Sequence, residues 1–148
     1  MTIEIRPVAP EDRARWGALW QGYLSFCDTV LPQEICDRTF ARLLDPQCSL
    51  HGLLAWRDGE AVGLVHYLFH ARGCYDADAC VLQDLFTAPH ARGTGIGRAL
   101  TGAVRDLAET SGAAQICGMT RPGTDTAQAR LTPRAAKTDF IICEMEKP

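Results

Sequence analysis

Between Leu85 and Leu100 the chain reads LFTAPHARGTGIGRAL, with Arg92, Gly93, Gly95, Gly97 and Arg98 crowded into one short stretch. Glycine at a helical position costs about 0.5–1 kcal/mol relative to alanine, so its concentration where a helix begins needs an offset. The first turn of a helix carries backbone N–H groups with no partner inside the helix, and the aligned peptide dipoles add roughly half a positive charge there. Glycines keep side chains out of the way of a ligand approaching those groups, and the arginines add charge. That chemistry suits a pyrophosphate. The plainer alternative is a turn in which the glycines only permit positive φ. The spacing is no dinucleotide fingerprint: counted from Gly93, the third glycine of G-x-G-x-x-G falls on Arg98, and too little chain follows for that fold. G-x-x-x-x-G-K is absent as well, which excludes the P-loop.

Other chemistry-bearing residues are scattered. Seven cysteines include no C-x-x-C pair, and four dispersed histidines do not complete a zinc set, so no metal is expected. Reduced cysteines acting as small buried hydrophobes is the simpler reading. His66 and His70 share a face of one strand and read as satisfied or solvated groups. Tyr67 and Tyr75 read as packing residues.

These residues need elements to position them. Thr2–Val8 alternates like a strand, and Trp16, Leu19, Trp20 and Tyr23 follow at the spacing of one helical face. A second helix fits Gln33–Leu44, between Pro32 and Asp45-Pro46. Leu50–Trp56 and Ala61–His70, joined by RDGE, form a hairpin. Ala79–Thr87 is a strand too apolar to leave one face in water. A helix over Gly95–Ser111 places Ile96, Leu100, Ala103 and Leu107 on one face. Short elements follow: a strand at Gln115–Thr120, a helix starting at Thr126–Arg130 and a strand at Asp139–Met145. The order β-α-α-β-β-β-α-β-α-β predicts an α/β (α+β) chain with a mixed sheet and helices on both faces.

A chain of 148 residues with 47% hydrophobic and 22% charged residues suits a single domain spanning 1–148. A net charge of −3 gives no footprint for a nucleic acid and is mildly favourable to an amine. The start lacks the pattern of a secretory signal, and no apolar run approaches a membrane span, which points to the cytoplasm and to no membrane partner.

With loop, strand and helix in place, the sequence resembles the GNAT superfamily of N-acetyltransferases. The superfamily motif [Q/R]-x-x-G-x-[G/A] stands here as Arg92, Gly95 and Gly97 after LQDLFTAPH. HYLFH and the tail TDFIICEM resemble a bacterial branch of small enzymes of this kind. The resemblance implies the GNAT fold and acetyl-CoA as co-substrate. It gives Leu85, Phe86 and Thr87 the pantetheine arm, and Arg92, Gly93, Thr94, Gly95, Ile96, Gly97 and Arg98 the pyrophosphate. It also implies direct transfer to an amine acceptor in a ternary complex, and an association into homodimers. DFIICEM, an apolar strand that needs a cover, is the segment expected to meet a partner.

The chain departs from that branch in two places. The strand LEDLFV of the branch carries Gln83 in place of its glutamate, with Asp84 kept. The tail positions usually held by asparagine and tyrosine hold Asp125 and Thr132. Catalytic groups are therefore sought at Asp84 and Thr132. Threonine is shorter and far less acidic than the tyrosine it replaces, so the tyrosine's role as acid is not transferred to it. Asp84 also has a plainer reading, as a carboxylate that only holds structure. The function expected is acetyl transfer to a primary amine of a small molecule or peptide. The alternative is a CoA-binding sensor or interaction module without transfer activity, separable by acetyl-CoA turnover with and without amines.

Overall fold

The computed structural model describes residues 2–119, 138 and 142–147. Its elements are β1 (Ile3–Pro7), a 3-10 turn (Pro10–Asp12), α1 (Arg13–Phe26), α2 (Gln33–Leu44), β2 (Leu50–Arg57), β3 (Glu60–His70), β4 (Ala79–Thr87), a 3-10 turn (Pro89–Ala91), α3 (Ile96–Thr110) and β5 (Gln115–Gly118). Pro10 opens the turn before α1, and the Asp12 carboxylate accepts the Ala9 N–H at 2.9 Å, which fixes the angle at which α1 leaves β1. Asp58 and Gly59 both lie at positive φ, so RDGE makes the tight turn that matches the twist of a hairpin.

The strands lie in the order β1-β2-β3-β4-β5. Neighbours are antiparallel up to β4, and β4–β5 is parallel, joined through α3. One core packs α1 and α2 on one face of the sheet through Trp16, Leu19, Trp20, Leu24, Phe40 and strand residues such as Leu54 and Leu64. The other packs α3 on the opposite face through Ile96, Leu100, Val104 and Ala108 against Leu53, Val62, Val65 and Leu82. The buried stripe of α3 therefore runs 96-100-104-108, and Leu107, expected on it, is 40% exposed. Gly63 lets α3 lie close: a Cβ there would sit 2.7 Å from Ile96 Cγ2 and 3.0 Å from Leu100 Cδ1.

The sheet has one irregularity that decides where the chemistry points. Opposite β3, His66 pairs with Asp84 but Tyr67 pairs with Leu82, leaving Gln83 as the extra residue of a β-bulge. Leu82 then faces α3, while Asp84 and Phe86 face α1. A simple alternation would have put all three on one face. The expected strand at Asp139–Met145 is not found in its described part: residues 142–147 are neither helix nor strand, and Ile142 and Met145 are 72% and 93% exposed. Apolar composition favours a strand only where a neighbour is there to pair with it. The segment on which the homodimer expectation was built thus shows no strand where it is described. The helix start at Thr126–Arg130 lies outside the described residues. Among the described residues, no helix is long and apolar enough to cross a membrane, and no group of three His, Cys, Asp or Glu is placed to hold a metal.

Candidate active site

The parallel ladder between β4 and β5 runs only from Ala79–Gln115 to Leu82–Gly118. From Gln83 to Thr87, β4 has no strand beside it on that side among the described residues. The Ala88 N–H donates to Val62 O at 2.8 Å, so Phe86, two residues back, turns its N–H and C=O toward β3. Leu85 and Thr87 turn theirs to the open side. The Arg92 Nε–H donating to Thr87 O at 3.2 Å agrees with that orientation. Thr87 Oγ1 is buried without a partner.

At the end of this open edge the chain enters the glycine loop. Gly93 and Gly95 lie at φ 77° and 89°, and a Cβ built on either would meet nothing within 4 Å. The glycines thus serve backbone conformation and leave open space outside it. The loop is pinned from behind: Thr94 Oγ1 donates to Ala91 O at 2.6 Å and accepts from Arg57 Nη1 at 3.1 Å. No side chain caps α3, whose first helical bond is the Ala99 N–H to Gly95 O at 2.9 Å. The N–H groups of Ile96, Gly97 and Arg98 precede that bond, so the helix makes no use of them. Arg92 lies over the Phe86 and Phe26 rings, 5.5 and 5.9 Å from their centroids, and Arg98 is exposed. An anion fits this end of α3, and an extended chain carrying amides fits the edge of β4. Both are features that a phosphate-bearing chain with amides can use.

Asp84 sits beside the bulge with its side chain 15% exposed. Its Oδ2 lies 2.9 Å from His66 Nδ1, and the Trp16 Nε1–H donates to His66 Nε2 at 3.0 Å. His66 and Trp16 are essentially inaccessible. His66 is therefore a satisfied buried histidine, whereas His70 is exposed. Tyr23 comes to the same carboxylate from α1. Burial first, then the Asp84 charge and hydrogen bonds to Asp84 and Cys27, push its phenol far above the ordinary tyrosine value. Tyr23 also stacks on Trp20, with centroids 5.2 Å apart. A cavity of about 790 Å³ opens along α1 next to Arg92, between Leu19, Gly22, Phe26, Ala61 and Phe86.

Leu85, Thr87 and the loop from Arg92 to Arg98 thus follow one another along the unpaired edge of β4 and the start of α3, with Asp84 near the strand end, while the Thr87 and Ile96 side chains are themselves buried. Phe86 contributes its ring rather than its backbone. Thr132 and Asp125 lie outside the described residues. The sequence places Tyr23 on one helical face with Trp16, Leu19 and Trp20 and does not connect it with Asp84. Its place at the edge of the Trp16–Trp20 stripe was the available signal.

Comparison with known proteins gives the family and the fold. The model of the acetyltransferase (GNAT) family matches residues 14–131. The D-amino-acid N-acetyltransferase HPA3 of Saccharomyces cerevisiae is 34% identical over 142 residues, covering 95% of this chain and 88% of that protein. Among solved structures, the aminoglycoside acetyltransferase AAC(6')-Iy, in complex with a CoA-linked bisubstrate analogue, superposes with a TM-score of 0.84 at 18% identity, over 100% of this chain and 99% of its own. A ribosomal-protein-alanine N-acetyltransferase from Brucella melitensis biovar Abortus 2308 gives 0.82 at 19% identity, over 99% and 100%. The chain belongs to the GNAT acetyltransferase family. It is an N-acetyltransferase, and its reaction is acyl transfer.

Proposed function

We propose that the protein transfers the acetyl group of acetyl-CoA directly to a primary amine of a small molecule, without an acyl-enzyme. The observation that carries this reading is the junction of the unpaired β4 edge, the uncapped start of α3 and a carboxylate at the bulge. The loop from Arg92 to Arg98 holds the pyrophosphate, and Leu85 and Thr87 offer backbone groups to the pantetheine arm and to the thioester carbonyl. Acetyl-CoA supplies an activated acyl group whose leaving thiolate, with a thiol value of about 8.5, departs without a strong acid. In the transfer, the amine nitrogen forms the new bond to the carbonyl carbon as the carbon–sulfur bond breaks. Asp84 receives the proton that leaves the nitrogen, and water protonates the thiolate.

A relative that acts on D-amino acids makes an α-amino acid the first acceptor class to try. The test is CoA release over an amine panel, with and without acceptor, for the parent, Asp84→Asn and Thr132→Ala. Turnover should rise with pH toward the acceptor's own amine value, because only the neutral amine attacks. Asp84→Asn should lower kcat about 10²-fold or more while CoA affinity holds, and Thr132→Ala should cost little. A folded, fully active Asp84→Asn, or acetyl-CoA turnover indifferent to every amine, would overturn the reading.

A further inference from the structure

We propose that His66, locked as its Nδ1–H tautomer by the indole of Trp16, is the positioning residue that orients Asp84. This rests on the assignment of Asp84 as the proton acceptor. An indole N–H is a donor only. Its 3.0 Å contact with His66 Nε2 therefore requires a lone pair on that nitrogen. The ring proton is left on Nδ1, where it donates to Asp84 Oδ2 at 2.9 Å.

A second proton on the imidazole would have to enter at Nε2. It would face the indole N–H and strand it in a site where both side chains are essentially inaccessible. Both ring nitrogens of His66 are thus engaged within the fold. The work of the ring is to deliver one fixed hydrogen bond to the carboxylate, as Tyr23 delivers another from α1. Other groups around the pair leave that state undisturbed. Trp20 packs 5.0 Å from the imidazole, and Gly52 of β2 approaches its edge. Arg13 of α1 lies over the Trp16 ring, 5.3 Å from its centroid, and is paired with Asp37 of α2. The Cys27 thiol stands behind Tyr23. Of two neighbours of the carboxylate, one is a buried, rigid donor and the other a half-buried phenol. The carboxylate has about four lone-pair positions, so these two bonds leave room for the substrate's N–H.

The first measurement needs no substitution. Nitrogen-detected NMR of the histidine rings in the intact protein should show His66 with its proton on Nδ1 and its Nε2 accepting a hydrogen bond. An Nε2–H ring would overturn the lock. The second uses paired variants. In His66→Asn the amide N–H₂ takes the place of Nδ1–H, whereas in His66→Gln it reaches toward the place of Nε2. Asparagine should keep kcat within about 3-fold of the parent, and glutamine should lose about 10- to 100-fold, at unchanged CoA affinity. Trp16→Phe removes the donor at Nε2 and should let the Nε2–H tautomer of His66 appear in the same spectrum. Equal losses for asparagine and glutamine alongside an inactive Asp84→Asn would overturn the positioning role. A fully active Asp84→Asn would instead overturn the base assignment beneath it, and the NMR result would still report on the lock.

Discussion

Replacing Gly95 by alanine separates the two jobs that the glycine loop performs. Gly95 lies at φ 89° and ψ 4°, left-handed backbone that costs an L-residue roughly 1–2 kcal/mol. An added Cβ there would touch nothing within 4 Å, so no steric term joins that cost. Gly95→Ala should therefore fold, with a thermal midpoint lower by about 2–4 °C per kcal/mol for a domain of this size. Gly112, just past the other end of α3, has φ 74° and equally open surroundings. Gly112→Ala should show the same loss of stability. The two variants diverge in CoA binding. At Gly95 the methyl group occupies the space through which a phosphate must reach the N–H groups of α3. Losing one hydrogen bond to a charged group costs about 1.5–3 kcal/mol, which weakens binding about 10- to 100-fold. Gly112→Ala should bind as the parent does, and Gly95→Asp should not bind at all. Thermal melts and calorimetric titration with CoA read both quantities. Equal CoA affinity for Gly95→Ala and Gly112→Ala, at equal loss of stability, would refute the placement of the pyrophosphate.

Gly63→Ala should cost about 1–3 kcal/mol by overpacking, since its Cβ would press on Ile96 and Leu100. Displacing the start of α3 should also weaken CoA binding, and a denaturant midpoint unchanged from the parent would contradict the close packing. The Arg13 guanidinium, 2.6 Å from Asp37, and then Gln33, hold the Asp37 carboxyl below its ordinary value. A depressed carboxyl stabilises the fold above its unfolded value, and that contribution is lost as pH falls through the folded one. Asp37→Asn should therefore flatten the acid side of the stability curve, less so in high salt because the pair is exposed. A difference between parent and variant that is equal at neutral and strongly acid pH would rule this out.

Much of the fold was legible because its signals are local. The 33–44 helix is bounded by prolines, the hairpin by its turn, and the glycine loop by the change of period from β4 to α3. The bulge was not legible: one extra residue at Gln83 has no signature of its own, yet it reverses the facing of Leu82 relative to Asp84. The ties around Asp84 were hidden by distance. Trp16 and His66 are 50 residues apart, and no pattern in either segment announces that one indole N–H ends on the other's imidazole. The stripe on α3 differs from the expected one at its far end, where Leu107 is exposed and Ala108 takes the buried place, a choice that only the packed sheet decides.

The distribution of indoles has a spectroscopic consequence. The chain has three tryptophans, and Trp16, Trp20 and Trp56 all lie in the core beneath α1 and α2, with none in the core beneath α3. Trp16 and Trp20 stack 5.7 Å apart, close enough to exchange excitation before they emit. Tryptophan emission, excited selectively, therefore watches one face of the sheet and is blind to the other, where Tyr67 is the buried fluorophore. Loosening of α3, the helix that presents the phosphate loop, would pass unseen in a fluorescence melt while circular dichroism recorded it. Agreement between the two probes, the usual sign of a single cooperative transition, would here show that both faces of the sheet come apart together.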